Sequence, residues 1–530
     1  MDGLTKNKTA KGFLNGVSVL TISALAVKVI GLLYRIPMLA YLGTEGMGYF
    51  NTAYELYALF CVIATAGLPV AMSVLISSSE ADPQKGREVG RIFRVSLAAF
   101  IVIGTAGMLL LYGFSDALAA LFKNSGAAAG MRMIAPTVLL ICLSSAFRGY
   151  FQGKRSMTPT AVSQVIEALG KLLLGLTFAS MAQRRGCDLP ATAAYAVLGL
   201  TVGTGISVVY LWIHKILFDR RQPLTPKLPR DRNADVDTLG RLLMTAIPVT
   251  FGAAVMSVTK VVDLALILRR LQAVGLDEAS ANTLYGCYST LVLPLFHMLP
   301  TLTTSVSLPT VPALSAALGQ KTDEGLAHAK KITLSALRLT LMIAIPAAIG
   351  LSVFSEDVLT LLFGTQPEAV KMATPWLTCI ALSVPMSCLL TVSGAILQGS
   401  EHAARPVISL VCGTAVKTVL AYILLGMPEV GMMGAPISTL VCDSVIVIVN
   451  FTFIARLIPG LLPLGKEFVG LVIFPLVTGG GAVALVWLLR RWLGWQEISS
   501  VHTLGTVTVV MCLYGAVVLG EMMLKGRKRT

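Results

Sequence analysis

The stretch FRGYFQGKRSMTPTAVSQVIEALGK runs from Phe147 to Lys171 and places Arg148, Lys154, Arg155, Glu167 and Lys171 between two long apolar runs. Its middle, GKRSMTP (153–159), reads as a short polar turn. Pro159 then opens a helix, because proline gives up an N–H that the first helical turn does not use. Glu167 and Lys171 follow two to three turns into that helix, where the surrounding sequence predicts a membrane interior. Two ionisable residues at that depth need a reason.

The remainder of the chain makes the membrane setting general. Of 530 residues, 55% are hydrophobic and 13% charged, and the mean hydropathy is +0.78, far from the composition of soluble domains. Apolar runs predict an all-α integral membrane protein with about fourteen spans, centred near residues 24, 62, 102, 140, 170, 203, 252, 298, 343, 384, 415, 443, 479 and 513. The longest polar connection, about 216–240, leaves no room for a soluble catalytic domain. Lysine and arginine gather in alternate connections: Lys6, Lys8 and Lys11; Lys85, Arg87 and Arg91; Lys154 and Arg155; Lys215 to Arg241; Lys321, Lys330 and Lys331; Lys525 to Arg529. About 26 basic residues lie on that face against about 8 opposite, so both termini are expected in the cytoplasm and the chain in the cytoplasmic membrane.

The net charge of +15 follows from this topology and from attraction to anionic lipid. No aromatic interleaving or recognition helix points to nucleic acid. The nine cysteines, Cys61, Cys142, Cys379 and Cys512 among them, show neither C-x-x-C nor metal-ligand spacing, so no metal site or disulfide framework is expected. The first apolar segment is too long for a cleavable signal and carries Lys28 and Arg35.

The chain also repeats itself, at an offset of about 231 to 232 residues near the start of each half. KVIGLLYRIPMLAYLG (28–43) faces KVVDLALILRRLQAVG (260–275), placing Lys28 on Lys260 and Gly43 on Gly275. Tyr54 and Tyr57 face Tyr285 and Tyr288, Leu68-Pro69 faces Leu299-Pro300, and FSDALAALF (114–122) matches FSEDVLTLLF (354–363). The opening stretch has its own partner: GYFQG (149–153) corresponds to AILQG (395–399), Pro159 to Pro406 and Lys171 to Lys417. An even number of spans per repeat predicts two parallel lobes, 1–225 and 226–460, with a path between them at the midplane and a C-terminal helix pair in 461–530.

Ionisable residues within predicted spans are Lys28, Arg35, Glu55, Glu167, Lys171, Lys260, Asp263, His297, Lys417 and Asp443. Glu167 and Lys171 stand four apart in the acid-before-base order that forms an internal helix pair, and Lys260 and Asp263 stand three apart. Self-neutralisation and exposure to a wet cleft are both open for these pairs. Snorkelling competes with substrate binding for Lys28 and Arg35. His297, between Pro294 and Pro300, suits a hydrogen bond to a freed carbonyl as well as proton transfer. Those prolines predict a bent span.

The opening stretch, the run KVIGLLYRIPMLAYLGTEGMGYFNTAYELY (28–57) and the two-repeat architecture resemble the MurJ/SpoVB branch of the multidrug, oligosaccharidyl-lipid and polysaccharide exporter superfamily, over essentially the whole chain. The resemblance implies a non-enzymatic flippase that moves an undecaprenyl-linked saccharide, with lipid II the leading case, to the outer leaflet. It implies a cationic cleft for the pyrophosphate headgroup, to which Lys28, Arg35, Lys171, Lys260 and Lys417 are assigned. Glu55, Glu167, Asp263, His297 and Asp443 become coupling or charge partners. No cofactor is implied, transport being coupled to membrane potential, H+ or Na+. Expected partners are the lipid-linked oligosaccharide, membrane lipids and cell-wall synthesis proteins, with the chain acting as a monomer. The chain departs from the better-studied pattern at Tyr34 and Ser289, where arginines are expected. A cation-coupled antiporter of the same fold, a membrane glycosyltransferase and an envelope scaffold are the competing readings.

Overall fold

The computed structural model describes residues 2–81, 88–220, 231–320, 322–400, 404–461 and 469–492, with Gly505, Val509 and Tyr514. The described residues are helical almost throughout, as a chain in hydrocarbon must be to satisfy its own N–H and C=O groups. Among the described residues, eleven helical stretches are long and apolar enough to cross a membrane, or twelve when a pair bent by 46°, Pro367–Ala381 with Val384–Gly399, counts as one span. The protein is therefore a multi-pass membrane protein. Every predicted span centre but the last falls on one of these helices. The last, near residue 513, lies outside the described residues apart from isolated positions, as do Lys85, Arg87, Lys321, Lys525 to Arg529 and residues 221–230 of the long connection.

Chain contacts divide the protein into two compact units. The first comprises Met1–Arg269 and Asp277–Gly286; the second comprises Arg270–Leu276 and Cys287–Thr530. These are units of contact, whereas the predicted boundary at 225/226 is one of sequence repetition.

The first unit is built from α1 (Asp2–Thr65), α2 (Leu68–Ala81), α3 (Val89–Gly113), the short α4 (Ser115–Leu121), α5 (Ala127–Gly153), α6 (Thr158–Arg184), α7 (Leu189–Arg220), α8 (Arg232–Ala273) as far as Arg269, and most of α9 (Glu278–Cys287). Residues of α1 lie in helical geometry except Gly43, at φ 63° and ψ −178°. The chain folds back there. Tyr34 and Phe50 have ring centroids 5.9 Å apart, whereas 16 residues of straight helix would separate them by about 24 Å. Gly275, its repeat partner, is also left-handed, at φ 108°, so both glycines meet a backbone demand that a β-carbon resists.

α5 runs through the middle of this unit on small residues. Gly104 and Gly107 of α3 admit Cys142 and Val138, and Gly149 and Gly153 press against Pro69 and Ile76 of α2. α6 and α7 approach backbone to backbone. A β-carbon added at Gly170 would lie 2.5 Å from Gly203 Cα, and one added at Gly199 would lie 2.3 Å from Gly175 Cα. Tight packing of small residues is the main attraction available to helices in lipid. Between α5 and α6, Arg155 takes a left-handed φ of 56°, Lys154 pairs with Glu80, and Pro159 occupies the first turn of α6.

α9 completes the first unit from a distance in sequence. Asp277 accepts a hydrogen bond from the Ser280 side chain, which holds its carboxyl below the ordinary value. Asn124 Nδ2 donates to Thr52 Oγ1 and to Asn282 Oδ1, both at 2.9 Å, and Asn282 Nδ2 donates to the Glu45 carbonyl at 2.7 Å. Glu278 accepts from the Ser125 backbone N–H and hydroxyl, each at 2.7 Å. Thr52, Asn124 and Asn282 are wholly buried, so these bonds replace water that the site excludes.

The second unit contains α10 (Leu293–Leu302), α11 (Thr304–Gly319), α12 (Asp323–Val353), α13 (Ser355–Phe363), α14 (Pro367–Ala381), α15 (Val384–Gly399), α16 (Ala404–Leu424), α17 (Gly434–Leu457) and α18 (Phe474–Trp492). In the span that carries Pro294 and Pro300, a π-helical turn at Tyr288–Val292 interrupts the α-helix, and the Leu293 N–H reaches back to the Tyr288 carbonyl. That wider turn adjusts the ladder just before Pro294, which donates nothing. Leu314, Leu337, Val392, Ile396 and Ile454 form the core, and Gly479 lets α18 lie against Pro346 of α12.

Local geometry repeats as the sequence does. Phe114 and Phe354 each end a long helix at nearly the same backbone angles, φ −100° and −101°, and donate four residues back, to Leu110 and Gly350. Gly153 and Gly399 each end a helix in close contact with a neighbour, α2 in one case and α11 in the other.

Candidate functional site

The ionisable residues of α1, α5, α6 and α8 collect within the first unit, and aromatic side chains organise them. The fold-back at Gly43 sets Tyr34 opposite Phe50, and helical spacing continues the row through Tyr54 and Tyr57. Centroid separations along it are 5.9, 6.1 and 5.9 Å, with Phe50 and Tyr54 stacked. Gly175 of α6 makes room for the Tyr34 ring, since a β-carbon there would come 3.1 Å from Tyr34 Cε2.

Lys171 projects into this row. Its ammonium stands 4.2 Å from the Tyr54 ring centroid, 4.9 Å from that of Tyr34 and 5.7 Å from that of Phe50. Such a cage attracts a cation through the negative ring faces, by about 0.5 to 2 kcal/mol per contact.

The intrahelical pairing of Glu167 with Lys171 that their spacing permits is not the one formed. Glu167 Oε2 accepts from Arg148 Nη2 of α5 at 2.8 Å, and Arg148 Nε donates to Ser163 Oγ at 2.9 Å. Ser163 Oγ in turn donates to the Thr160 carbonyl at 2.7 Å. A guanidinium presents a planar fork that satisfies a carboxylate and a second acceptor together, which an ammonium on a flexible stem does less well. Arg148 belongs to the opening stretch but is not among the ionisable residues singled out from the sequence. The signal for its role was the carboxylate nineteen residues on.

Around the cage the charges are mixed. Lys171 interacts electrostatically with Arg35, Glu167 and Glu55. Glu55 does so with Lys260, Arg35, Asp263 and Lys171. With every group ionised, Arg35, Arg148, Lys171 and Lys260 outnumber Glu55, Glu167 and Asp263 by one positive charge. Fixed positive charge in a partly apolar setting suits a polyanionic headgroup. Lys28 lies on an exposed face of α1 beside exposed Leu25 and Val29. In the second unit Lys417 is half-buried on α16, Asp443 is buried on α17, and His297 is exposed on α10 with its ring 5.1 Å from that of Phe296.

Among the described residues no group of three or more His, Cys, Asp or Glu side chains is arranged to hold a metal ion.

Comparison with known proteins gives this arrangement a family. The MatE family profile matches residues 289–423. Two Bacillus subtilis proteins are similar along nearly their whole length: "Stage V sporulation protein B", 23% identical over 97% of this chain and 96% of that protein, and "Lipid II flippase MurJ", 26% identical over 96% and 94%. Among solved structures, "Lipid II flippase MurJ, inward closed conformation" superposes with a TM-score of 0.70 at 14% identity, covering 96% of this chain and 99% of that one. An inward-facing MATE transporter of the MOP superfamily does so with a TM-score of 0.64 at 16% identity, covering 82% and 98%. The fold is the one these MOP-superfamily structures share, and the sequence is similar to SpoVB and MurJ. The profile described as polysaccharide biosynthesis protein matches residues 13–318, more than half of the chain, and the protein belongs to that family.

Proposed function

We propose that the protein is a flippase for an undecaprenyl-pyrophosphate-linked saccharide, with lipid II as the leading substrate, working by alternating access in the cytoplasmic membrane and making no covalent change to its cargo. The observation that carries the reading is Lys171: its ammonium is held by three ring faces, and among the described residues no carboxylate stands within ion-pair distance of it. A cation held this way stays available to an incoming pyrophosphate, each charge-assisted contact contributing about 1.5 to 3 kcal/mol where water is excluded. Arg35 and Lys260 supply further positive charge nearby, and Lys28 is a fourth contact on the same reading. The B. subtilis relatives add support at the level of the family. The proposed orientation keeps both termini and the 216–240 connection in the cytoplasm.

The decisive experiment is translocation of labelled lipid II by the purified protein in proteoliposomes, with and without an imposed membrane potential. Lipid II is expected to reach the opposite leaflet only with protein present, and Lys171→Ala to remove most of that movement. No translocation above empty vesicles would overturn the assignment.

A second reading, a cation-coupled multidrug antiporter, draws on the MatE match and on the carboxylates Glu55 and Asp263 beside Lys260. Efflux of cationic dyes driven by a sodium or proton gradient would favour it.

A further inference from the structure

We infer that Arg148 is a positioning residue whose task is to keep the Lys171 ammonium away from Glu167, so that Lys171 rather than an internal salt bridge meets the substrate. The inference rests on the proposed headgroup reading for what Lys171 contacts, but not for how Lys171 is held.

Glu167 precedes Lys171 by four residues on α6, the spacing and order at which the two close on each other unless something intervenes. In a medium of low dielectric such a pair would be much stronger than in water and would cancel the lysine's charge. What intervenes is the guanidinium of Arg148, 2.8 Å from Glu167 Oε2. It is not free to swing away, because its Nε is spent on Ser163 Oγ and Ser163 is itself tied to Thr160. Arg148 is about 9% exposed, so its bond to Glu167 is shielded from competing water. Lys171 is left to the rings of Tyr34, Phe50 and Tyr54, which attract its charge without neutralising it.

The second repeat supports the same logic by a different route. At the offset that sets Gly153 on Gly399 and Lys171 on Lys417, Ser163 falls on Ser409, but Glu167 falls on Gly413 and Arg148 on Gly394. The lysine recurs, and the position four residues before it carries no carboxylate. Where a carboxylate is present an arginine takes it up, and where the carboxylate is missing the arginine is missing too. A pair kept only to join α5 to α6 gives no reason for that coincidence with a lysine one turn on.

The test uses the full chain in lipid nanodiscs and two readouts. One is acetylation of Lys171 by a small membrane-permeant N-hydroxysuccinimide ester, quantified by peptide mass spectrometry. The other is binding of undecaprenyl pyrophosphate followed by native mass spectrometry. Arg148→Gln is expected to release Glu167 onto Lys171, lowering Lys171 acetylation at least fivefold and weakening undecaprenyl pyrophosphate binding about tenfold. The double variant Arg148→Gln with Glu167→Gln is expected within threefold of the parent in both, and Arg148→Lys, which keeps a cation for Glu167 but loses the bond to Ser163, is expected between the parent and Arg148→Gln. A merely structural role predicts the opposite sign, since a loosened α5–α6 contact would raise acetylation, so unchanged or increased labelling in Arg148→Gln overturns the inference. Should Arg148→Gln fail to insert, Ser163→Ala loosens the guanidinium more gently and is expected to lower Lys171 labelling in the same direction; no decrease there overturns it as well. If labelling follows the expected pattern while the parent binds no undecaprenyl pyrophosphate, the role of Arg148 stands and the proposed substrate falls.

Discussion

The corresponding helices α6 and α16 use the same position for opposite purposes. On α6, residue 167 is a glutamate that reaches across to Arg148. On α16 its counterpart is Gly413, packed so closely on α17 that an added β-carbon would lie 2.2 Å from Ile446 Cγ1. The rings around Lys171 are also unequal between the repeats: Tyr54 corresponds to Tyr285, but Tyr34 and Phe50 correspond to Leu266 and Ala281. The two repeats therefore share the left-handed glycine and the lysine. The first repeat carries the polar chemistry at this position, while the second gives it to packing. Backbone geometry tolerates this divergence because small residues, rather than the charged ones, set how closely the helices approach.

The sharpest way to break the comparison is to force the first repeat's carboxylate into the second. Gly413→Glu would drive a side chain into Ile446 and bury a carboxylate without the arginine, so the chain is expected to fall at least about tenfold in membrane abundance on immunoblots. Gly394→Ala, where nothing lies within 4 Å of the added carbon, should accumulate normally. Near-normal abundance of Gly413→Glu would mean that α16 and α17 do not depend on that contact.

The next effect is on transport. Lys171→Ala should reduce lipid II translocation about tenfold or more at unchanged abundance, the loss of one charge-assisted phosphate contact. Lys171→Arg should keep part of the activity, and Lys417→Ala should cost less than Lys171→Ala. Equal losses at the two lysines would erase the functional asymmetry between the repeats.

Smaller again is the ring contribution. Tyr54→Leu removes the closest face of the cage, so the midpoint of thermal unfolding in detergent should fall by a few degrees, consistent with about 0.5 to 2 kcal/mol. The smallest effect is expected from Arg132→Ala, which removes a surface ion pair to Asp116; the second repeat has Met372 in that place. Exposed pairs contribute less than about 1 kcal/mol, so a melting shift larger than about two degrees would show that the pair matters to the first unit.

Helix positions were legible because hydrocarbon imposes one secondary structure and about twenty apolar residues per crossing. Gly43 and Gly275 were legible as a matched pair, though not the left-handed angles that explain the match. Lys171 stood out because charge in an apolar run is costly. Its surroundings did not. The choice of Arg148 over Lys171 as the partner of Glu167 depends on how α5 lies against α6, which spacing along one helix does not encode. The cage depends on the fold-back at Gly43, which brings together rings sixteen residues apart, while Asn124 and Asn282 meet across an even longer stretch of sequence. Neutral polar residues give no warning of such meetings.

The discontinuity of the first unit bears on how the protein is made. Asn124 and Thr52 enter the membrane long before Asn282 and Glu278 leave the ribosome, and at about 5 to 20 residues per second the interval is on the order of ten seconds or more. During it, the Asn124 amide that later donates to Asn282 and the Ser125 groups that later donate to Glu278 lack their eventual partners. Until then such groups must find water, lipid headgroups or an insertion chaperone. Assembly of this unit is thus gated by chain length. Nascent chains stalled shortly before residue 277 should remain open to protease or amide exchange around residues 122–126, and chains extended past residue 287 and clear of the exit tunnel should close.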